Sequence, residues 1–139
     1  MLPGTKIFIK NIKTKKWLFL LRDDIETIPH PNMWSLVGGG LESYENMLEG
    51  LYREIEEEVN IYVQNVSFLV KEDIQIVENK IYYVPMHVFK GETTADISDI
   101  VVGEGQKANY FTLDEALKLD NIIPLIKEFI KEYKHKLEK

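Results

Sequence analysis

No cysteine occurs among the 139 residues, which removes disulfides, thiolate nucleophiles and zinc-thiolate sites together. Histidine is nearly as scarce. His30, His87 and His135 are scattered along the chain and make a poor metal cluster. No apolar run approaches the ~20 residues that span a bilayer, so no membrane partner is expected. The opening "MLPGTKIFIKN" lacks the charged start, long apolar stretch and small-residue cleavage site of a secretory leader, and a cytoplasmic location is the expectation. Basic charge is also short: 17 Lys and Arg face 23 Asp and Glu, a net charge of −6. That balance argues against an extended nucleic-acid surface, whose nonspecific affinity comes from Lys and Arg, while small anions remain open given local basic groups or a metal. Repeats, low-complexity linkers and breaks in composition are all absent. Residues 1–139 therefore read as a single domain, long enough to bury about two-thirds of its unfolded surface.

What is present is a mixture of strand and helix patterns, which implies an α/β or α+β domain. "TKIFIKN" and "KWLFLLR" are rich in β-formers and flank a Lys-rich turn, predicting a hairpin from about Lys6 to Arg22. "DDIETIPHPNM" reads as a loop. "WSLV" is a short strand running into Gly38, Gly39 and Gly40, after which a helical pattern begins, giving the order strand, glycine loop, helix. "IYVQNVSFLV" and "KIYYVPMHVFK" are strand-like, with "VENK" as a turn, and Pro85 suggests an edge position or a bulge. A further loop leads to the strand "NYFTL". Thr112 and Glu115 form a capping-box pattern that opens a brief helix, and "IIPLIKEFIKEYKHKLEK" is an amphipathic helix with a Lys-rich end.

Between Gly38 and Ile61 the chain carries seven glutamates and one arginine, Arg53. At about 100° per residue Glu54, Glu57 and Glu58 share one helix face, while Leu48, Leu51, Tyr52, Ile55 and Val59 form an adjoining apolar stripe. Glu45, Glu49, Glu56 and Arg53 take the remaining side. Gly50, one turn before Glu54, either leaves room on the carboxylate face or permits close packing against a neighbour. Clustered carboxylates repel, and no lysines stand nearby to form i, i+4 pairs. A hard divalent cation with oxygen ligands, Mg²⁺ or Mn²⁺, is the natural partner. Glycines without side chains let backbone groups approach such an ion or a phosphate. The run is not a P-loop, because the Lys and Ser/Thr of that motif are missing.

The segment resembles the Nudix box, G-x5-E-x7-R-E-U-x-E-E-x-G-U with U a bulky aliphatic residue. Gly39, Glu45, Arg53, Glu54, Ile55, Glu57, Glu58 and Ile61 are in register. Asn60 replaces the last glycine at a helix end that wants a left-handed residue, which Asn tolerates next best. "WSLVGGG" is similar to the family's W-x-L-P-G-G with Val37 in place of proline, and "GEGQKANYFTLDEAL" to its C-terminal strand and helix. The resemblance implies a Nudix fold, a mixed sheet between helices, that hydrolyses a nucleoside diphosphate linked to a group X and yields a nucleoside monophosphate and phosphorylated X. Carried over by position, Glu54, Glu57 and Glu58 would hold Mg²⁺ or Mn²⁺ with the Gly39 carbonyl, and Glu45 and Arg53 would pair to tie the glycine loop to the helix. The general base would be Glu57 or Glu104, the latter in the glycine-flanked "GEGQ" loop.

Substrate clues are fewer. Arg22 matches a frequent family arginine and is a candidate phosphate contact, the alternative being a surface charge at a strand end. Gly39 and Gly40 are candidates for backbone contacts to substrate. Tyr82 and Tyr83 alternate across a strand, so one could stack on a base, although core filling accounts for it more readily. Trp34 is expected to pack beneath the glycine loop. The chain lacks the proline that ADP-ribose-hydrolysing relatives usually carry beyond the box and the signature of coenzyme A hydrolases, which leans towards a small MutT-like nucleotide hydrolase. The alternative is a catalytically silent nucleotide-sensing module. Such modules typically lose box glutamates, and none is lost here. A homodimer through the apolar strand containing Pro85 is a further possibility.

Overall fold

The computed structural model describes the backbone of residues 3–73, 75–77, 80–82 and 85–139, and side chains over 3–73 and 85–139. The strands in chain order are β1 (Gly4–Asn11), β2 (Trp17–Leu21), β3 (Trp34–Ser35), β4 (Val37–Gly40), β5 (Gln64–Glu72), β6 (Gln75–Val77), β7 (Lys80–Tyr82), β8 (Met86–Thr93) and β9 (Lys107–Phe111). The helices are α1 (Met47–Glu58), α2 (Leu113–Leu117) and α3 (Pro124–Leu137). A seven-stranded mixed sheet runs β3-β2-β1-β8-β5, with β4 also pairing β1 and β9 pairing β2, while β6 and β7 form a separate antiparallel pair. Only β1 and β8 run parallel within the larger sheet, and helices cover both faces.

Burial on both faces explains the near-continuous apolar runs of β1 and β2. Alternation along β1 sends Ile7 and Ile9 to the face covered by α1, where they meet Leu51, Ile55 and Val59. Phe8 faces the other way, into a cluster with Leu113 and Ala116 of α2 and Ile130 and Leu137 of α3. Each fully buried Leu, Ile or Phe contributes roughly 1.5–3 kcal/mol over an exposed one, so two such layers clamp β1 in place. The first residues of β4 are thereby fixed against a rigid strand.

Helix α1 starts where Asn46 accepts from the Glu49 amide (2.9 Å) while Glu49 accepts from the Asn46 amide (3.0 Å), a capping box that the sequence pattern N-x-x-E would have revealed. It is capped at Val59, and the next residue, Asn60, adopts the left-handed φ of +48° expected at that position. The pattern at Thr112 and Glu115 likewise forms a reciprocal cap on α2.

Several expectations are corrected. The three glycines form strand β4, not a loop, because a chain without Cβ atoms can lie against β1: a Cβ on Gly38, at φ +134°, would strike the Thr5 carbonyl. Leu48 and Tyr52 are about half exposed; the sheet meets α1 along a narrower stripe of Leu51, Ile55 and Val59. Gly50 serves packing, since a Cβ there would collide with the Leu41 side chain. Trp34 is buried on the α3 side, edge-on to Phe111 at 5.0 Å, and not beneath β4. The one strand expected across Pro85 is two elements in different sheets, β7 and β8; Pro85 immediately precedes β8, which lies between β1 and β5 and is an interior strand. The Tyr82 and Tyr83 side chains and the turn residues 78 and 79 fall outside the described residues.

Candidate active site

Pairing of β4 with β1 aims the Gly38 N–H at α1, where it donates to Glu58 Oε1 at 2.8 Å. Glu58 is only 9% exposed. Burial pushes its carboxyl up to about 7, and the neighbouring Glu54 carboxylate adds to the rise, against the pull of Lys6 and the Gly38 N–H. Gly39 stands directly against Glu54: a Cβ on it would come 2.8 Å from Glu54 Oε1. Only glycine leaves that carboxylate its place.

Arg53 organises the periphery. Its Nε and Nη2 donate to Glu45 Oε2 (2.6 Å) and Oε1 (2.9 Å), a bidentate pair, and Nη2 also reaches the Gly40 carbonyl at 3.1 Å. Glu45 in turn accepts from the Glu42 amide at 2.8 Å. The residues between β4 and α1 are thus pinned to the helix by one guanidinium, whose hydrogen bonds hold Glu45 below the usual carboxylate range. Nη1 donates to Glu54 Oε1 (3.1 Å) and Glu57 Oε2 (3.2 Å).

Glu54, Glu58, Gly38 and Gly39 line a cleft of about 290 Å³ together with Arg22, Asp23 and Glu104. Glu104 arrives from the far side of the sequence. Its loop is tied to α1 by the Gly103 amide, which donates to the Glu58 carbonyl (3.0 Å), and to β2 by the Gln106 amide, which donates to the Leu21 carbonyl (2.8 Å). Gly103 has no space for a Cβ against the Glu57 carbonyl, and Gly105 adopts φ +101°; the glycines flanking Glu104 therefore have structural work beside the site. Arg22 is steadied by donating Nε to the Pro29 carbonyl at 2.9 Å.

Two sequence candidates are less enclosed. Glu57 is 56% exposed at the edge of the cleft and shares the Arg53 Nη1 donor with Glu54. Gly40 is exposed, its carbonyl taken by Arg53, so Gly38 and Gly39 are the glycines that face the cleft. Lys6, which sequence reasoning missed, donates Nζ to the Gly38 carbonyl (3.1 Å) and the Leu36 carbonyl (3.4 Å). Burial lowers its ammonium pKa, opposed chiefly by Glu58. The available signal was period-two alternation, which places a charge on the same inward face as Phe8. Asp23 was also missed, and nothing in its sequence context marks it.

Among the described residues no three His, Asp or Glu side chains form a ready-made metal cage. Mg²⁺ does not require one, since it binds through one or two carboxylates and completes its shell with water and substrate phosphates. Glu54 and Glu58, adjacent and backed by a glycine that yields space to a carboxylate, fit that donor set. Their mutual repulsion leaves an attraction for a divalent cation.

The fold has known relatives. In structure the chain is similar to a MutT protein from Methanosarcina mazei Go1 (TM-score 0.80, 20% identity, 99% of this chain and 96% of that one). It is also similar to a C. elegans Ap4A hydrolase (0.68, 19%, 97% and 98%) and to the NUDIX domain of Shewanella oneidensis NrtR in complex with ADP ribose (0.75, 12%, 99% and 88%). At these identities the likeness shows the fold. Comparison with curated protein sequences gives no match. Among the described residues no helix is long and apolar enough to cross a membrane. A sequence profile of the NUDIX domain matches residues 2–133, and with the box residues gathered as described, the chain belongs to the Nudix hydrolase family of pyrophosphohydrolases.

Proposed function

We propose that residues 1–139 act as one Nudix domain that hydrolyses the pyrophosphate linkage of a nucleoside diphosphate joined to a further group, a nucleoside triphosphate or similar small nucleotide, with Mg²⁺ or Mn²⁺ as cofactor. The observation that carries this reading is the placement of Glu54 against Gly39 and of Glu58 on the Gly38 N–H, in a cleft that also receives Arg22 and Glu104. Glu54, Glu58 and the Gly39 carbonyl would hold the cation, with Glu57, which shares Arg53 Nη1 with Glu54, as a further ligand. When bound, the cation neutralises phosphate charge and acidifies water near neutral pH. Arg22 takes phosphate oxygens and orients the chain of phosphates. Glu104 accepts the proton of the attacking water; its place in the cleft favours it over Glu57, which pairs with Arg53. The water oxygen joins phosphorus, the bridging P–O bond breaks, and a nucleoside monophosphate and phosphorylated X leave. Arg53 and Glu45 position the backbone of Gly39 and Gly40.

The test is turnover of nucleoside triphosphates, nucleotide sugars, ADP-ribose and dinucleoside polyphosphates with Mg²⁺ or Mn²⁺, comparing the native chain with Glu58→Gln. Metal-dependent turnover that drops at least about a hundredfold in the variant supports the proposal. Binding without turnover of any compound would support the nucleotide-sensing reading instead.

A further inference from the structure

A second cleft of about 290 Å³ adjoins the first, the two sharing Arg22, Ser35 and Leu36. Its walls are apolar, with Phe8, Met86 and Val88 from the sheet facing Ile126 and Phe129 of α3. A flat group attached to phosphates in the first cleft would find room here. Three carboxylates also line this cleft, Glu72, Glu128 and Glu132, and they repel a second phosphate or a carboxylate in that space.

The Lys and Arg side chains lining this cleft, among the described residues, are Lys6 and Arg22. An ammonium carries three N–H donors, and Lys6 commits two to the Gly38 and Leu36 carbonyls. Among the described residues no third acceptor takes the remaining donor. Two carbonyls hold the Lys6 head, and the apolar Phe8 lines the same cleft.

Resting on the hydrolase reading above, we propose that Lys6 sets base preference: its remaining N–H selects a base that presents a carbonyl oxygen and rejects one that presents an amino group at the same position. A keto group accepts the bond. An amino group there sets N–H against N–H in a low-dielectric cleft and leaves the buried donor unpaired, the arrangement that costs most. The glutamates supply acceptors for the ring N–H groups that keto bases carry.

The test compares kcat/KM for ITP against ATP and for UTP against CTP, pairs that exchange a keto for an amino group on one ring. The expected ratio is about tenfold or more in favour of the keto base in both pairs. In Lys6→Met, and separately in Lys6→Gln, whose amide both donates and accepts, the ratio falls to within about threefold of unity while turnover persists. A native ratio near unity overturns the proposal, and this needs no variant to fold. A ratio that survives both substitutions, or a uniform loss on all four substrates, also overturns it and leaves Lys6 a structural prop for β4. If no nucleotide is turned over, the hydrolase reading fails, and the same ratios read from calorimetric Kd values still decide the role of Lys6.

Discussion

Replacing Glu58 with glutamine should stabilise the metal-free protein while abolishing its chemistry. Glu58 is nearly buried, accepts from the Gly38 N–H and neighbours Glu54. Its carboxyl is raised from an ordinary 4.5 to about 7. The folded state therefore keeps a proton between those values that the unfolded state has released, and its stabilising contribution, complete below about 4.5, is lost as pH rises through about 7. At about 1.4 kcal/mol per pH unit, ionised Glu58 costs the fold up to roughly 3 kcal/mol at pH 8. A glutamine resembles the protonated acid and retains an acceptor for Gly38. The variant should match the native chain near pH 4 and exceed it at pH 8 by roughly 1–3 kcal/mol, or about 3–10 °C in Tm for a domain of this size. Thermal unfolding in EDTA across pH 4–8 reads the difference directly. Saturating Mg²⁺ should narrow it, because the cation repays the native carboxylate alone. A Tm difference that is flat with pH, or a variant less stable throughout, would refute the reasoning.

Other perturbations separate the roles of neighbouring residues. Arg53→Lys cannot make the fork to Glu45 or reach Gly40 with the same group; activity should fall roughly ten- to a hundredfold with a lowered Tm, measured by steady-state kinetics and thermal melts. Gly39→Ala places a methyl group on Glu54 Oε1, the far end of a flexible side chain, so Tm should barely change while kcat drops about a hundredfold through misplacement of that carboxylate. Glu104→Gln should lower kcat by about 10²- to 10⁴-fold with KM little altered, and Glu57→Gln distinctly less; the reverse order would return the base to the helix. Asn60→Gly relieves a left-handed asparagine and should raise stability by up to about 1 kcal/mol in denaturant titration.

The box was legible because its chemistry is local: Glu45, Arg53, Glu54 and Glu58 are separated by whole helical turns or one short connection, and spacing alone brings them near. What spacing cannot convey is which neighbour a face receives. Leu48 and Tyr52 have the periodicity of the core but are half exposed, and Glu58, counted with Glu54 and Glu57 on the carboxylate face, is buried against the Gly38 strand. Gly50 was ambiguous because its partner, Leu41, comes from the preceding connection. Trp34 took the opposite face from the one expected, since the alternation of a two-residue strand offers no register. Lys6 and Glu104 reach the site from distant parts of the chain, through the antiparallel pairing of β1 with β4 and the anchoring of the 103–106 loop on β2. The glycines flanking Glu104 marked its loop in the sequence, whereas nothing local to Lys6 names the strand it would meet.

The most direct test of the account is product identification after incubating EDTA-stripped protein with a nucleoside triphosphate, before and after Mg²⁺ or Mn²⁺ is restored. The account predicts nucleoside monophosphate and pyrophosphate, formed only with the metal and not by Glu58→Gln. Formation of nucleoside diphosphate and phosphate, or equal turnover in EDTA, would contradict it.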